Sequence, residues 1–108
     1  MSKKITIRPR ASQDIDEHYD FIAQRNSDAA LQFFDAVRLT IAQIARMPGL
    51  GSIYRVRQQR LQGMRKWAVK GFKKYLIFYL EHDESIEVVR ILYASQNIES
   101  ILGEDSGA

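Results

Sequence analysis

Tyr75-Leu-Ile-Phe-Tyr-Leu80 places six apolar residues in a row. The run is too short for a buried helix, and its aromatic and β-branched side chains suit a pleated strand. Successive strand residues face opposite ways, so Tyr75, Ile77 and Tyr79 form one apolar face and Leu76, Phe78 and Leu80 the other. A strand apolar on both sides belongs inside a sheet with cover on each face. The same period of two extends outward: Leu61 to Val69 precedes a central strand Lys74 to Glu81, and Ile86 to Tyr93 follows it. Gly71 and His82-Asp-Glu-Ser85 are links short enough for β-hairpins, so the three strands form an antiparallel meander.

Upstream the pattern is helical. Lys4-Ile-Thr-Ile-Arg8 reads as a short strand ended by Pro9. Ser12 is the expected N-cap of a first helix, with Asp14, Asp16, Glu17 and Asp20 read as a solvated face that suits the helix dipole, and Ile15, Tyr19 and Ile22 marking the apolar side. After the break at Arg25-Asn26-Ser27-Asp28, a longer helix is expected from the stripe Ala30, Phe34, Val37, Ile41 and Ile44, stopped by Pro48-Gly49. So short a link makes the two helices an antiparallel hairpin. The hairpin covers one face of the sheet. The other is left either to a terminal helical turn, Asn97 to Leu102, carrying Ile98, Ile101 and Leu102, or to a partner chain, because large exposed apolar patches mark interaction sites. Residues 50–60 read as an irregular basic connection, and 103–108 as a polar tail. The expected fold is therefore α+β: an N-terminal strand, a helical hairpin, a three-stranded meander and a short C-terminal helix, in one domain over 1–102.

Length and composition agree with one small core. There is no cysteine, which excludes disulfides and thiol chemistry. Met-Ser-Lys-Lys lacks the apolar run of a signal peptide, and no stretch approaches the ~20 apolar residues needed to span a bilayer, so a cytoplasmic location is expected. Gly49-Leu-Gly51 lacks the continuation of a phosphate-binding loop and reads as a turn. His18 and His82 have no metal-ligand spacing, and no metal or cofactor is expected.

Charge is the strongest functional signal. From Ala36 to Leu80 there is no Asp or Glu, while ten Lys or Arg occur. Over residues 49–82 eight cations meet one carboxylate, whereas 83–108 carry one cation and six carboxylates. Such a field suits a polyanion or an acidic protein surface. Arg65, Lys66 and Trp67 lie in a strand, and Lys70, Lys73 and Lys74 flank its turn. The plain alternative is that these lysines are the solvent face of strands and blunt an exposed edge. Arg90 interrupts the apolar run Val88 to Tyr93; it either pairs with a carboxylate or serves as a functional cation on the open face of the sheet.

Several short runs, taken in order, resemble the RelE/ParE toxin superfamily over roughly residues 5–102: Arg10-Ala-Ser-Gln-Asp-Ile-Asp, Phe21-Ile-Ala-Gln-Arg-Asn, Met47-Pro-Gly-Leu-Gly51, Leu61-Gln-Gly-Met-Arg-Lys-Trp-Ala-Val-Lys-Gly-Phe72, Tyr75 to Tyr79 and Val89-Arg-Ile-Leu-Tyr93. The resemblance is nearest to the ParE-like plasmid-stabilisation toxins of type II toxin–antitoxin systems. It implies a bacterial toxin that inhibits DNA gyrase and is neutralised by a ParD-like antitoxin in a hetero-oligomer. Two alternatives stand beside it: a RelE-like, ribosome-dependent messenger RNA endoribonuclease, and a non-toxic basic nucleic-acid-binding module. RelE-like enzymes carry an arginine just after the last strand and a tyrosine or histidine in the terminal helix. Those places fall near Gln96 and Leu102 here, so no catalytic residue is assigned. The resemblance and the charge together assign target binding to Arg65, Lys66, Trp67, Lys70, Lys73, Lys74, Arg90 and Tyr93. Antitoxin binding is assigned to Tyr75, Ile77, Tyr79, Ile98, Ile101 and Leu102.

Overall fold

The computed structural model describes residues 2–103. Its elements are β1 (Lys4–Ile7), α1 (Pro9–Ala23), α2 (Ser27–Arg46), β2 (Ser52–Ile53), β3 (Arg65–Val69), β4 (Phe72–Glu81), β5 (Ser85–Tyr93) and α3 (Ile98–Gly103). Two 3-10 turns, Pro48–Leu50 and Gln59–Leu61, flank β2. The architecture is α+β as expected. Of the polar tail, only Gly103 is described, as the last residue of α3; residues 104–108 lie outside the described part.

Helix α1 starts at Pro9, three residues before the expected cap at Ser12. Proline at the first helical position has its φ already set and no donor to leave unsatisfied, and Arg8 before it provides no side-chain cap. Helix α2 is capped by Asn26, whose side chain accepts from the Ala29 amide at 3.0 Å. Its buried face uses Ala30, Phe33, Val37, Ile41 and Ile44. Phe34, expected in that stripe, is 40% exposed, while Phe33 is fully buried. One residue rotates a helix by about 100°, and both phenylalanines fit a loose three-and-four spacing.

The sheet order is β1-β5-β4-β3-β2, with β1 parallel to β5 and the other pairs antiparallel. β4 is central, and both its faces are covered by this chain. Tyr75, Ile77 and Tyr79 pack with Ala11, Phe33, Val37 and Ile41 under the helical hairpin. Phe78, Leu80, Val89 and Leu92 pack on the opposite side with Leu61, Met64 and Leu102. Ile98 and Ile101 support that second cluster, as do Tyr54 and Val56.

Three expectations change. Tyr75, Ile77 and Tyr79 offer no open face for an antitoxin, because the hairpin buries them. Leu61 belongs to a turn that folds under the sheet, so β3 begins at Arg65. Residues 50–60 are not simply a connection: they contribute a fifth strand and cover for the second face, anchored where the Tyr54 amide donates to the Met64 carbonyl at 2.7 Å. A bulge breaks the alternation of β5, since Phe78 pairs with Arg90 but Tyr79 with Val88, leaving Val89 as the extra residue.

Candidate target-binding end of the sheet

Of the cations singled out by sequence, Arg90 is buried, with 9% of its surface exposed. Its Nε donates to Asp14 Oδ2 at 2.7 Å and its Nη2 to Asp14 Oδ1 at 2.9 Å, a two-pronged pairing across 76 positions of sequence. Asp14 also accepts from the Ile91 amide at 3.0 Å and from Arg10 Nη1 at 3.0 Å. It is 3% exposed, so it does not belong to the solvated acidic face in which it was placed. A buried carboxylate needs such a set of donors to offset its lost hydration. Arg90 is therefore a bolt between β5 and α1 and not a cation on an open face. His18, one turn on from Asp14, bonds through Nε2 to the Ile91 carbonyl at 2.8 Å and meets Tyr75 edge-on at 4.9 Å.

Arg65 is also engaged. Its Nη1 donates to the Gly51 carbonyl at 2.6 Å, while the Gly51 amide donates to the Tyr79 hydroxyl at 2.9 Å and that hydroxyl donates to the Pro48 carbonyl at 2.6 Å. Burial pushes the Tyr79 phenol above its ordinary pKa, against the lowering effects of the Gly51 bond and the Arg65 charge, so it stays a neutral donor. A Cβ on Gly51 would lie 2.5 Å from the Tyr79 hydroxyl and 2.8 Å from the Lys66 carbonyl, so this close approach admits glycine alone. The Met47-Pro-Gly-Leu-Gly51 run is thus pinned to the sheet. Trp67 is half-buried and packs against the hairpin-side core. Lys66 holds its ammonium 5.5 Å from the Tyr54 ring centre, a cation–π distance.

The remaining cations form a different group. Lys70, Lys73 and Lys74 are exposed and make no ion pair among the described residues. Gly71, at φ +81°, closes the tight β3–β4 turn that presents them. The Lys70 amide is fixed by Thr40 Oγ1 at 3.1 Å, which ties the turn to α2. Register brings the end of β5 to the same place: Tyr75 pairs with Tyr93, and the Ala94 amide donates to the Lys74 carbonyl at 2.7 Å. Tyr93 is half-buried beside Tyr75, its ring centre 4.8 Å away. The residues expected to act together are therefore divided. Lys70, Lys73, Lys74 and Tyr93 share one end of the sheet; Arg65 and Lys66 begin β3 roughly 13 Å away, four residue steps along a strand; Arg90 lies in the core. Exposed Arg55 and Arg57, not singled out from the sequence, flank Val56 beside α3.

Gln96 and Leu102 have other work. Gln96 Oε1 accepts from the Tyr93 amide at 2.6 Å, closing the turn after β5, and Leu102 is buried in the second cluster. Among the described residues, no group of three or more His, Asp or Glu is placed to hold a metal ion. No described helix is long and apolar enough to cross a membrane.

A hairpin of helices packed on one face of a five-stranded sheet, with a basic turn at one end, defines a small α+β fold. The profile described as ParE toxin of type II toxin-antitoxin system, parDE, matches residues 5–98, and the chain belongs to that family. Solved structures agree on the fold. The chromosomal ParDE toxin–antitoxin system from P. aeruginosa superposes with a TM-score of 0.69 at 14% identity, covering 87% of this chain and 98% of that one. The YoeB-YefM complex from Staphylococcus aureus gives 0.52 at 19% identity, covering 86% and 98%. No curated protein matches in sequence.

Proposed function

We propose that this ParE-family toxin acts on DNA gyrase through the basic end of its sheet and is neutralised by a ParD-like antitoxin. The observation that carries the reading is the division among the cations. Arg90 and Arg65 are consumed by folding, whereas Lys70, Lys73 and Lys74 are exposed, unpaired among the described residues and carried by a turn that is hydrogen-bonded to α2. Exposed cations whose field is not cancelled locally are suited to steering toward an acidic or polyanionic partner. An antitoxin reaches this site by bringing acidic residues to the lysines, with Ile98 and Ile101 on half-buried α3 as an apolar margin. The structural neighbours with ParDE and YoeB-YefM complexes support an antitoxin partner of that kind.

The geometry gives little support to metal-free RNA cleavage. That reaction needs a proton acceptor, a proton donor and cations on one phosphate. Gln96 is bonded in a turn, Leu102 is buried and apolar, and Arg90 is held by Asp14 where a phosphate does not reach it. The test is induction of the chain alone in cells, scoring gyrase–DNA cleavage complexes beside messenger RNA cleavage. Accumulating cleavage complexes with intact message are expected; ribosome-dependent message cleavage without them would overturn the proposal.

A further inference from the structure

Helix α2 carries a second face that the fold does not use. Its core side is centred on Phe33, Val37, Ile41 and Ile44, yet Leu31, Phe34 and Leu39 are 55%, 40% and 70% exposed. At 100° per residue these three fall on one side of the helix with Asp35, Arg38 and Ala42. Asp35 and Arg38 are exposed, and neither has an ion-pair partner among the described residues, not even the other one three positions away. The face borders a groove of about 740 Å³ that reaches the outer edge strand β1, where Ile5 and Ile7 are 45% and 37% exposed.

The order of residues on this face selects its occupant. Phe34-Asp35-Ala36-Val37-Arg38-Leu39 reads apolar, acidic, two small or buried positions, basic, apolar. Turned end over end about a point between Ala36 and Val37, the sequence meets its own complement. Asp35 falls opposite Arg38 and Leu31 opposite Ala42, while Phe34 and Leu39 come to the same height on the two flanks of the face. An interface of two-fold symmetry demands that self-complementarity, because each contact from one residue to another is repeated in reverse. We infer that a second copy of this chain docks here, with the two α2 helices antiparallel and two Asp35–Arg38 pairs across the axis. Phe34 and Leu39 lie about 140° apart round the helix, so Leu39, the most exposed of the three, flanks the charge pairs beside Leu39 of the other copy, while Phe34 flanks them on the other side, where Ile5 and Ile7 widen the apolar contact. The basic turn lies in the β3–β4 hairpin and is hydrogen-bonded to α2 at Thr40, on its buried side, so the inference goes beyond the proposed function and does not rest on the target.

The test is sedimentation of the purified 108-residue chain from about 1 μM to 1 mM, a range that captures weak and moderate dimers. A concentration-dependent dimer is expected. Arg38→Asp places like charges opposite each other twice, and should raise the dimer dissociation constant by at least about tenfold. The double exchange Asp35→Arg with Arg38→Asp restores opposite charges and should recover most of that loss. Leu39→Asp should leave monomers. All these positions are exposed, and thermal melting establishes that each variant is folded. A third check is hydrogen exchange on the wild-type chain, which should slow on this face of α2 and on β1 as concentration rises. A chain that stays monomeric throughout would overturn the inference, even if the groove binds a different protein. So would a dimer indifferent to Leu39→Asp, or a double exchange no better than Arg38→Asp alone.

Discussion

Arg90 and Lys74 carry the same charge on neighbouring strands, yet their surroundings give them opposite uses. Arg90 faces α1, where Asp14 meets it with both oxygens and water is excluded. Lys74 lies just past the turn, exposed, with its backbone fixed and its ammonium unpaired among the described residues. One charge serves the fold and the other is available to a partner. The contrast teaches that a cation in an apolar strand is poor evidence of function until its partner is known, whereas an exposed, unpaired cation beside a hydrogen-bonded turn is left open to a partner.

The contrast breaks most visibly at Arg90. Arg90→Ala leaves Asp14 buried without its main partner, and loss of one member of a buried pair costs roughly 3–5 kcal/mol. Chemical denaturation should show a loss of that size. A loss below about 0.5 kcal/mol, the range of ordinary surface changes, would mean that Arg90 is not a bolt.

Tyr79→Phe should come next. It leaves the Gly51 amide and Pro48 carbonyl without their shared partner, and each unsatisfied buried group costs about 1–3 kcal/mol. The same denaturation measurement checks it, and the 47–51 segment should exchange its amide hydrogens faster than in the wild type.

Acidity sharpens the comparison at the β1–β5 edge. Burial by itself raises the pKa of Glu87, but hydrogen bonds and charge from Arg8 and His82 outweigh it and hold the carboxyl below its ordinary value. A depressed carboxyl stabilises the fold above its unfolded pKa, and that contribution is lost as pH falls through the folded value. Between about pH 5 and pH 3 the wild type should therefore lose more stability than Glu87→Gln. Equal losses would show that Glu87 is not held by these partners.

Much of the fold was legible because its signals are local. The two-faced run Tyr75 to Leu80 placed the central strand, and the spacing of three and four placed both helices. The sequence did not reveal which phenylalanine of Phe33-Phe34 turns inward, since that depends on where α2 sits on the sheet. Nor did it reveal β2, whose two residues are too few for an alternation. The residues proposed to bind the target were less legible still. Lys70, Lys73 and Lys74 announced themselves by their excess charge, but Asp14 and Arg90 are separated by most of the chain, and the bulge at Val89 disturbs the alternation beside Arg90. Arg65 carried no local sign that Gly51 would accept its hydrogen bond. Long-range pairing turned two expected surface cations into structural ones.

The smallest effect on stability should accompany the largest effect on function, at the basic turn. Replacing Lys70, Lys73 and Lys74 together with alanine should change stability by no more than about 0.5 kcal/mol at each exposed position. The most direct test is to induce this triple variant and measure growth and gyrase–DNA cleavage complexes, with its melting recorded beside the wild type. A folded protein that no longer arrests growth or accumulates cleavage complexes is the predicted result; a folded protein of undiminished toxicity would contradict the account.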